Sequence, residues 1–156
     1  MIKLKNPYAE HPDYHCFGCS PNNPIGLQME FFKAGDEIVS TWTPGANYQG
    51  FHDILHGGIQ ATMMDEIASW VVFIILETAG VTYRLQSTYR KPVRISKGPL
   101  SLRAKLIEQQ RRIARIDVKL LDGEGMLCSE STVEYFVLPR EKAEKDMHFP
   151  GKEAFL

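Results

Sequence analysis

Two adjacent acids and a pair of glycines are the residues of this sequence best suited to chemistry. His56, Gly57 and Gly58 open an apolar stretch, and Asp65 and Glu66 interrupt it. The first N–H groups of a helix have no intrahelical partner and lie at the positive end of its dipole. Glycine lets an external atom approach such groups, which suits a developing oxyanion. A carboxylate can orient or deprotonate a water molecule.

The spacing of these groups favours a site shared by two copies of the chain. Apolar periodicity predicts a helix at roughly 58–77, so Gly57 and Asp65 lie about 12 Å apart along its axis. Two helices running antiparallel about a two-fold axis would bring Gly57 of one copy to Asp65 of the other. The alternative for either acid is a structural ion pair, or a hydrogen bond to a neighbouring loop.

Alternating apolar and polar residues predict the sheet that must position this helix. Two strands, at 27–33 and 37–43, precede the helix. Four follow it, in the stretches VTYRLQSTYRKPV, PLSLRAKLIEQ, IARIDVKLL and LCSESTVEYFVL. The order ββαββββ predicts an α+β fold with a mostly antiparallel, six-stranded sheet. One helix covers one face of such a sheet, so we expect the other face or an edge to meet another copy.

Length and charge indicate a single domain without nucleic-acid or membrane partners. We expect an irregular arm at 1–24, the folded domain at 25–138 and a charged, peripheral tail at 139–156. The net charge of −1 argues against a general nucleic-acid binder. The most apolar run, Trp70–Leu76, is too short to cross a bilayer. Three cysteines fit a reducing compartment, so the predicted location is cytoplasmic.

The stretch CFGC, with Cys16 and Cys19 at its ends, raises the question of a metal or redox site. His11 and His15 lie just before it, but a structural zinc site usually needs a second ligand pair. Only Cys128 remains, far along the chain. No strand-then-helix pattern of a redox motif follows either. The sequence therefore predicts no metal and no cofactor.

The stretch HGGIQATMMDE, preceded by YQGFHDIL and by an early CFGCSPNNPIGL, resembles the PaaI-type hotdog-fold acyl-CoA thioesterases. The resemblance covers about residues 15–138, including the order of the elements. It implies a long central helix wrapped by an antiparallel sheet, assembled as a homodimer or a dimer of dimers. The implied reaction is hydrolysis of an acyl- or aryl-CoA thioester to the free carboxylic acid and CoA.

The same resemblance assigns catalytic roles. Asp65 matches the acid that activates water or attacks the thioester, and Gly57 matches the residue whose N–H polarises the thioester carbonyl. His56 matches a histidine that positions the loop or the carbonyl. Thr82, at the start of the strand after the helix, matches a Ser/Thr that helps to hold the nucleophilic water. General-base and anhydride routes both remain open.

A second group of residues is expected to bind the substrate. Gln49, for which Asn47 is the alternative, lies where relatives place a polar group in the loop before the motif. Gly58 and Glu66 adjoin the catalytic residues and are expected to support binding. The phosphates of CoA call for cations, and four cluster where the third strand ends: Arg90, Lys91, Arg94 and Lys97. The alternative is a solvated strand end.

Two other functions remain open from the sequence. A binding protein of the same fold would sense acyl-CoA without hydrolysing it. A hotdog dehydratase or hydratase would act on enoyl thioesters, but such enzymes use an Asp/His pair that is deployed differently from the pattern in this chain.

Overall fold

The computed structural model describes residues 1–156 and contains nine strands and two α-helices. In chain order the strands are β1 (Ile2–Lys3), β2 (Phe32–Ala34), β3 (Glu37–Trp42), β4 (Gln49–Phe51), β5 (Ile54–Leu55), β6 (Gly80–Tyr89), β7 (Leu100–Gln110), β8 (Ile113–Leu121) and β9 (Leu127–Val137). The helices are α1 (Gly57–Ile75) and α2 (Arg140–Asp146).

Seven strands form one antiparallel sheet, and α1 lies across it. The sheet order is β1-β2-β3-β7-β8-β9-β6, while β4 and β5 pair separately. On α1, Met63, Ile67 and Ile74 are completely buried and face a sheet surface that includes Ile116 and Val118. Burial of this apolar stripe is the main stabilising contribution to the fold. The long helix packed on a large antiparallel sheet confirms the predicted α+β hotdog arrangement.

The sheet has one strand more than the predicted six, and the strand predicted at 27–33 is shorter. Leu27, Met29 and Phe31 are buried, as their alternation suggested. The backbone of this segment nevertheless bonds to the arm, since the Met29 N–H donates to the Gly18 carbonyl at 2.9 Å. Ladder pairing with β3 therefore starts only at Phe32, and β1 adds the seventh strand beyond β2.

The arm and the tail both pack onto α1, which corrects the expectation of a peripheral tail. Phe149 and Phe155 of the tail are buried. The ring of Phe155 stacks on Phe73 of α1 at 5.2 Å between centroids, and Tyr8 of the arm lies 5.8 Å from Phe73. Aromatic side chains bury large apolar areas, so these rings hold both termini against the second half of the helix.

Length and composition alone would allow α1 to span a bilayer. The core helix of a globular fold passes the same test, because a helix that is apolar on most sides is one that is buried on most sides. Here α1 packs on five strands of the sheet: β3, β6, β7, β8 and β9. Packing in the core accounts for its composition.

Candidate active site

The first turn of α1 presents one free backbone donor. His56 is the N-cap, with its Nδ1 accepting from the Gly58 N–H at 2.9 Å. Capping satisfies one of the N–H groups that lack intrahelical partners, so the substrate contact predicted for Gly58 cannot use this group. The Gly57 N–H has no acceptor within the chain. It is therefore available to a ligand, as the motif predicted.

Gly57 is held by a contact that the sequence did not reveal. The Tyr89 hydroxyl on β6 donates to the Gly57 carbonyl at 2.7 Å. A Cβ at Gly57 would lie 3.5 Å from the Tyr89 ring, which is an ordinary van der Waals distance. Packing within the chain thus does not exclude a side chain at Gly57, and the glycine leaves open space beside a free N–H.

Asp65 lies eight residues along the helix and is held by two hydroxyl groups. The Thr82 hydroxyl donates to Asp65 Oδ1 at 2.8 Å, and the Tyr135 hydroxyl lies 2.9 Å from the same oxygen. Tyr135 also lies 3.0 Å from the Asp65 carbonyl oxygen. The Oδ2 atom has no hydrogen-bond partner in the chain, and the residue is partly exposed. One carboxylate oxygen is therefore fixed and the other is free to contact a water.

A β-bulge aims Thr82 at this carboxylate. Thr82 pairs with Tyr135 of β9, and the register then shifts so that Arg84 pairs with Glu134. The extra residue, Tyr83, is 57% exposed. Simple alternation along this strand predicts Tyr83 on the same side as Leu85, which would turn Thr82 outward. Bulges are frequent beside active sites because they redirect a side chain in this way.

Tyr135, like Tyr89, is a residue of the candidate site that sequence reasoning missed. It lies on the buried side of β9, between Val133 and Val137. Burial raises the pKa of its phenol well above the usual range, and the negative charge of Asp65 adds to the shift, so Tyr135 is a neutral donor. A tyrosine at an inward position of a core strand needs a partner for its hydroxyl, and that was the available signal.

Glu66 points away from Asp65 and contacts the arm. The Cys16 thiol lies 3.5 Å from Glu66 Oε2, within the distance of a sulfur hydrogen bond. Burial raises the pKa of the Glu66 carboxyl to about 8, with the charge of Cys16 as the next contribution. Glu66 thus forms a contact between α1 and the arm, and its role in substrate binding stays a prediction.

A cleft of about 300 Å³ adjoins the start of α1, and its lining includes Gly57, Tyr89, Arg90 and Lys91. Two of the predicted phosphate ligands thus line the same cleft as Gly57. The Arg90 Nε already donates to Glu130 Oε2 at 2.6 Å, whereas the Lys91 side chain forms no ion pair in the chain.

Two other predicted binding residues, Gln49 and Arg94, are exposed to solvent. Gln49 is exposed at the start of β4 and pairs through its backbone with Leu55. Arg94 is exposed and forms an isolated bridge with Ile54. Neither side chain makes a hydrogen bond or an ion pair with another group of the chain. Both lie near the β4–β5 ribbon, and no contact links either of them to Asp65.

Comparison with known families identifies the class to which this fold and site belong. A profile of the Thioesterase superfamily matches residues 52–129, half of the chain, including the start of α1, Asp65 and Thr82. The chain belongs to this superfamily. Its PaaI-type branch and its cytoplasmic location stay predictions.

Individual relatives agree with this assignment. SSO1253 of Saccharolobus solfataricus, provisionally named an esterase, is 26% identical over 126 residues, which are 80% of this chain and 82% of that protein. The crystal structure of RHA08564, a thioesterase superfamily protein, has a TM-score of 0.70 and 24% identity. That match covers 78% of this chain but only 62% of RHA08564.

A streptococcal relative has been solved with a ligand. The hypothetical thioesterase of Streptococcus pneumoniae TIGR4, in complex with coenzyme A, has a TM-score of 0.65 and 25% identity. The match covers 72% of this chain and 87% of that one. The same streptococcal protein has also been solved with one aspartate, and separately with one threonine, replaced by alanine.

Proposed function

We propose that this protein hydrolyses the thioester bond of an acyl- or aryl-CoA, releasing the carboxylic acid and CoA. The observation that carries the proposal is the Asp65 carboxylate, which is oriented by the Thr82 and Tyr135 hydroxyls through one oxygen and free at the other. The coenzyme A bound to the streptococcal relative supports a CoA thioester as substrate. That relative has also been solved with an aspartate or a threonine replaced by alanine, and these are the residue types of Asp65 and Thr82.

The chemistry needs a base and an oxyanion donor. In the general-base route, the oxygen of a water bound at Asp65 Oδ2 attacks the carbonyl carbon while its proton passes to the carboxylate. The Gly57 N–H donates to the carbonyl oxygen as negative charge develops there. Collapse of the intermediate then breaks the carbon–sulfur bond, and the proton held by Asp65 is transferred to the departing CoA sulfur.

The two groups come from different copies of the chain in this proposal. They are eight residues apart on one helix, about 12 Å along its axis. β6 ends the sheet and has an open edge, and its apolar side chains are exposed, with Val81 53% and Tyr83 57% accessible. An open strand edge with exposed apolar residues is suited to pairing with a second copy.

Two hydrogen bonds indicate the register of that pairing. On β6, Thr82 contacts Asp65 and Tyr89 contacts Gly57. If the bulged residues Thr82 and Tyr83 count as one position, antiparallel pairing of two β6 strands about a two-fold axis at Gln86 would set Thr82 of one copy opposite Tyr89 of the other. Asp65 of the first copy would then lie near Gly57 of the second, and each dimer would have two equivalent sites.

The direct test is hydrolysis of short, medium, long and aromatic CoA esters by the purified protein. Asp65→Asn keeps the shape and the acceptor for both hydroxyls but removes the base, so kcat should fall by about 10²–10⁴. Asp117→Asn is the matched control, because the Asp117 side chain forms a hydrogen bond and an ion pair only with Lys119 on β8. Saturable acyl-CoA binding without turnover by the native protein would instead support a sensor, and unchanged turnover by Asp65→Asn would remove Asp65 from the mechanism.

Mixed dimers test the shared site. Asp65→Asn and Gly57→Pro homodimers should each be inactive, but a dimer with one chain of each kind has one intact site. After denaturation and random reassociation, about a quarter of the native activity should return if each site uses both chains. If each chain carries a complete site, mixing restores nothing. Light scattering on the same samples reports whether dimers form.

A further inference from the structure

Three side chains that the proposed reaction does not use meet where the arm crosses the middle of α1. Cys16 and Cys19 come from the arm and Glu66 comes from the helix, and their ligand atoms all lie within 4.8 Å of one another. Cys16 Sγ is 3.6 Å from Glu66 Oε1 and 3.5 Å from Oε2. Two cysteine sulfurs and a carboxylate oxygen are all ligand types that Zn²⁺ accepts.

We propose that Cys16, Cys19 and Glu66 bind one zinc ion, with a water molecule in the fourth position. Zinc–sulfur and zinc–oxygen bonds of about 2.3 and 2.0–2.2 Å place a sulfur and an oxygen ligand about 3.5 Å apart in a tetrahedral site. The separation between Cys16 Sγ and Glu66 Oε2 has this value. Cys16 is partly exposed, so water can reach the site.

The CFGC loop is shaped around the carboxylate. A Cβ at Gly18 would lie 2.6 Å from Glu66 Oε2, so only glycine lets the loop backbone approach this closely. This close approach brings the loop and the carboxylate together before any ion binds.

The surroundings of Glu66 contain no cation to compensate its charge. Glu66 forms no ion pair with a lysine, an arginine or a histidine of the chain. Trp70, one turn along α1, has a buried indole N–H without a hydrogen-bond partner, and it lies close to the same carboxylate. A carboxylate that binds a metal through one oxygen can accept a hydrogen bond from the indole N–H through its other oxygen. Metal ligands commonly make hydrogen bonds of this kind.

The inference revises the prediction that the chain has no metal site. That prediction rested on the need for a second cysteine or histidine pair, and the fold brings a helix carboxylate to the CFGC loop instead. The ion would tie the arm to α1 at the residue next to Asp65, so its proposed role is structural. The zinc proposal and the thioesterase proposal are independent, because zinc binding uses residues that the proposed hydrolysis does not.

Metal binding by the full-length protein tests the proposal. The chain is stripped with a chelator, titrated with Zn²⁺ against a chromophoric competitor and analysed for bound metal by mass spectrometry. We expect one zinc per chain. Cys16→Ser and Glu66→Gln should each lower the zinc affinity by at least about 100-fold. Even the loss of a group that only hydrogen-bonds to a metal ligand typically lowers metal affinity by about 10–100-fold. Cys128→Ala, which removes the third cysteine, should bind as the native chain does.

Cobalt substitution supplies a second readout. Co²⁺ in the site should show a thiolate-to-metal absorption band that is absent from Cys16→Ser. Circular dichroism checks that each variant is folded without metal, and Glu66→Gln, which keeps both sulfurs, serves if Cys16→Ser does not fold. The proposal is overturned if the native chain binds no stoichiometric zinc, if Cys16→Ser binds it equally well, or if thiol counting finds Cys16 and Cys19 joined as a disulfide after purification without oxidant.

Discussion

Replacing Gly57 by proline removes the proposed oxyanion donor and disturbs little else. Gly57 is the first residue of α1, a position that favours proline because an N–H there has no intrahelical partner. The preceding residue, His56, has a ψ of 132°, within the extended range that a following proline requires. The Gly57 N–H donates to no group of the chain, so the substitution breaks no internal hydrogen bond.

Activity and stability should respond in opposite directions. Loss of one oxyanion donor costs about 2.7–4 kcal/mol of transition-state stabilisation, so kcat should fall by about 10²–10³. Proline restricts the unfolded chain and should stabilise the fold by about 0.4–1 kcal/mol. For a chain of this size that raises Tm by about 1–4 °C. A variant that is inactive but slightly more stable than the native protein cannot be explained by misfolding.

The assay follows the loss of the ultraviolet absorbance of the thioester, because thiol reagents would also react with the three free cysteines. Gly57→Ala is the matched control. It adds a Cβ at 3.5 Å from the Tyr89 ring but keeps the N–H, and it should retain most of kcat. Native kcat in the folded proline variant would refute the assignment of Gly57 as donor. An equal loss in the alanine variant would show that space, not the N–H, is what matters.

Three further predictions follow from particular contacts. Thr82→Val and Tyr135→Phe each remove one donor to Asp65. Because hydrogen bonds to charged groups contribute about 1.5–3 kcal/mol, kcat should fall by about 10- to 100-fold while KM changes little. A selective change in KM would contradict a positioning role. Lys91→Ala should raise KM for CoA esters by about tenfold at low salt and leave kcat unchanged. Steady-state kinetics at two salt concentrations checks this prediction. A KM equal to that of the native protein at both concentrations would place the CoA phosphates elsewhere. Phe155→Ala should lower the free energy of unfolding by about 3–5 kcal/mol in denaturant titrations, whereas a peripheral tail would lose almost nothing.

Local patterns predicted the elements well. The helix predicted at 58–77 spans Gly57–Ile75, and the strand in IARIDVKLL spans Ile113–Leu121. Apolar periodicity and a glycine pair at the helix start are signals contained within one segment. The HGG motif likewise predicted a free N–H at the helix start, because helix geometry alone leaves that group without a partner.

The orientation of side chains within an element was less predictable. Alternation along β6 placed Tyr83 and Leu85 on one side, but the bulge after Thr82 changes the phase. A bulge arises from the pairing of two strands, here β6 and β9, and leaves no mark in the residues of β6 alone. The turn of Thr82 toward Asp65 was therefore decided by the register between strands that are distant in the sequence.

The order of the elements and the types of the candidate catalytic groups were determined by the sequence itself, since each depends on neighbouring residues. The tertiary structure decided which groups touch: Tyr135 with Asp65, and Cys16 with Glu66. These contacts join residues 70 and 50 positions apart. Such pairs form only because packing of the apolar core sets the position of the helix against the sheet and the arm, and no local pattern encodes that position.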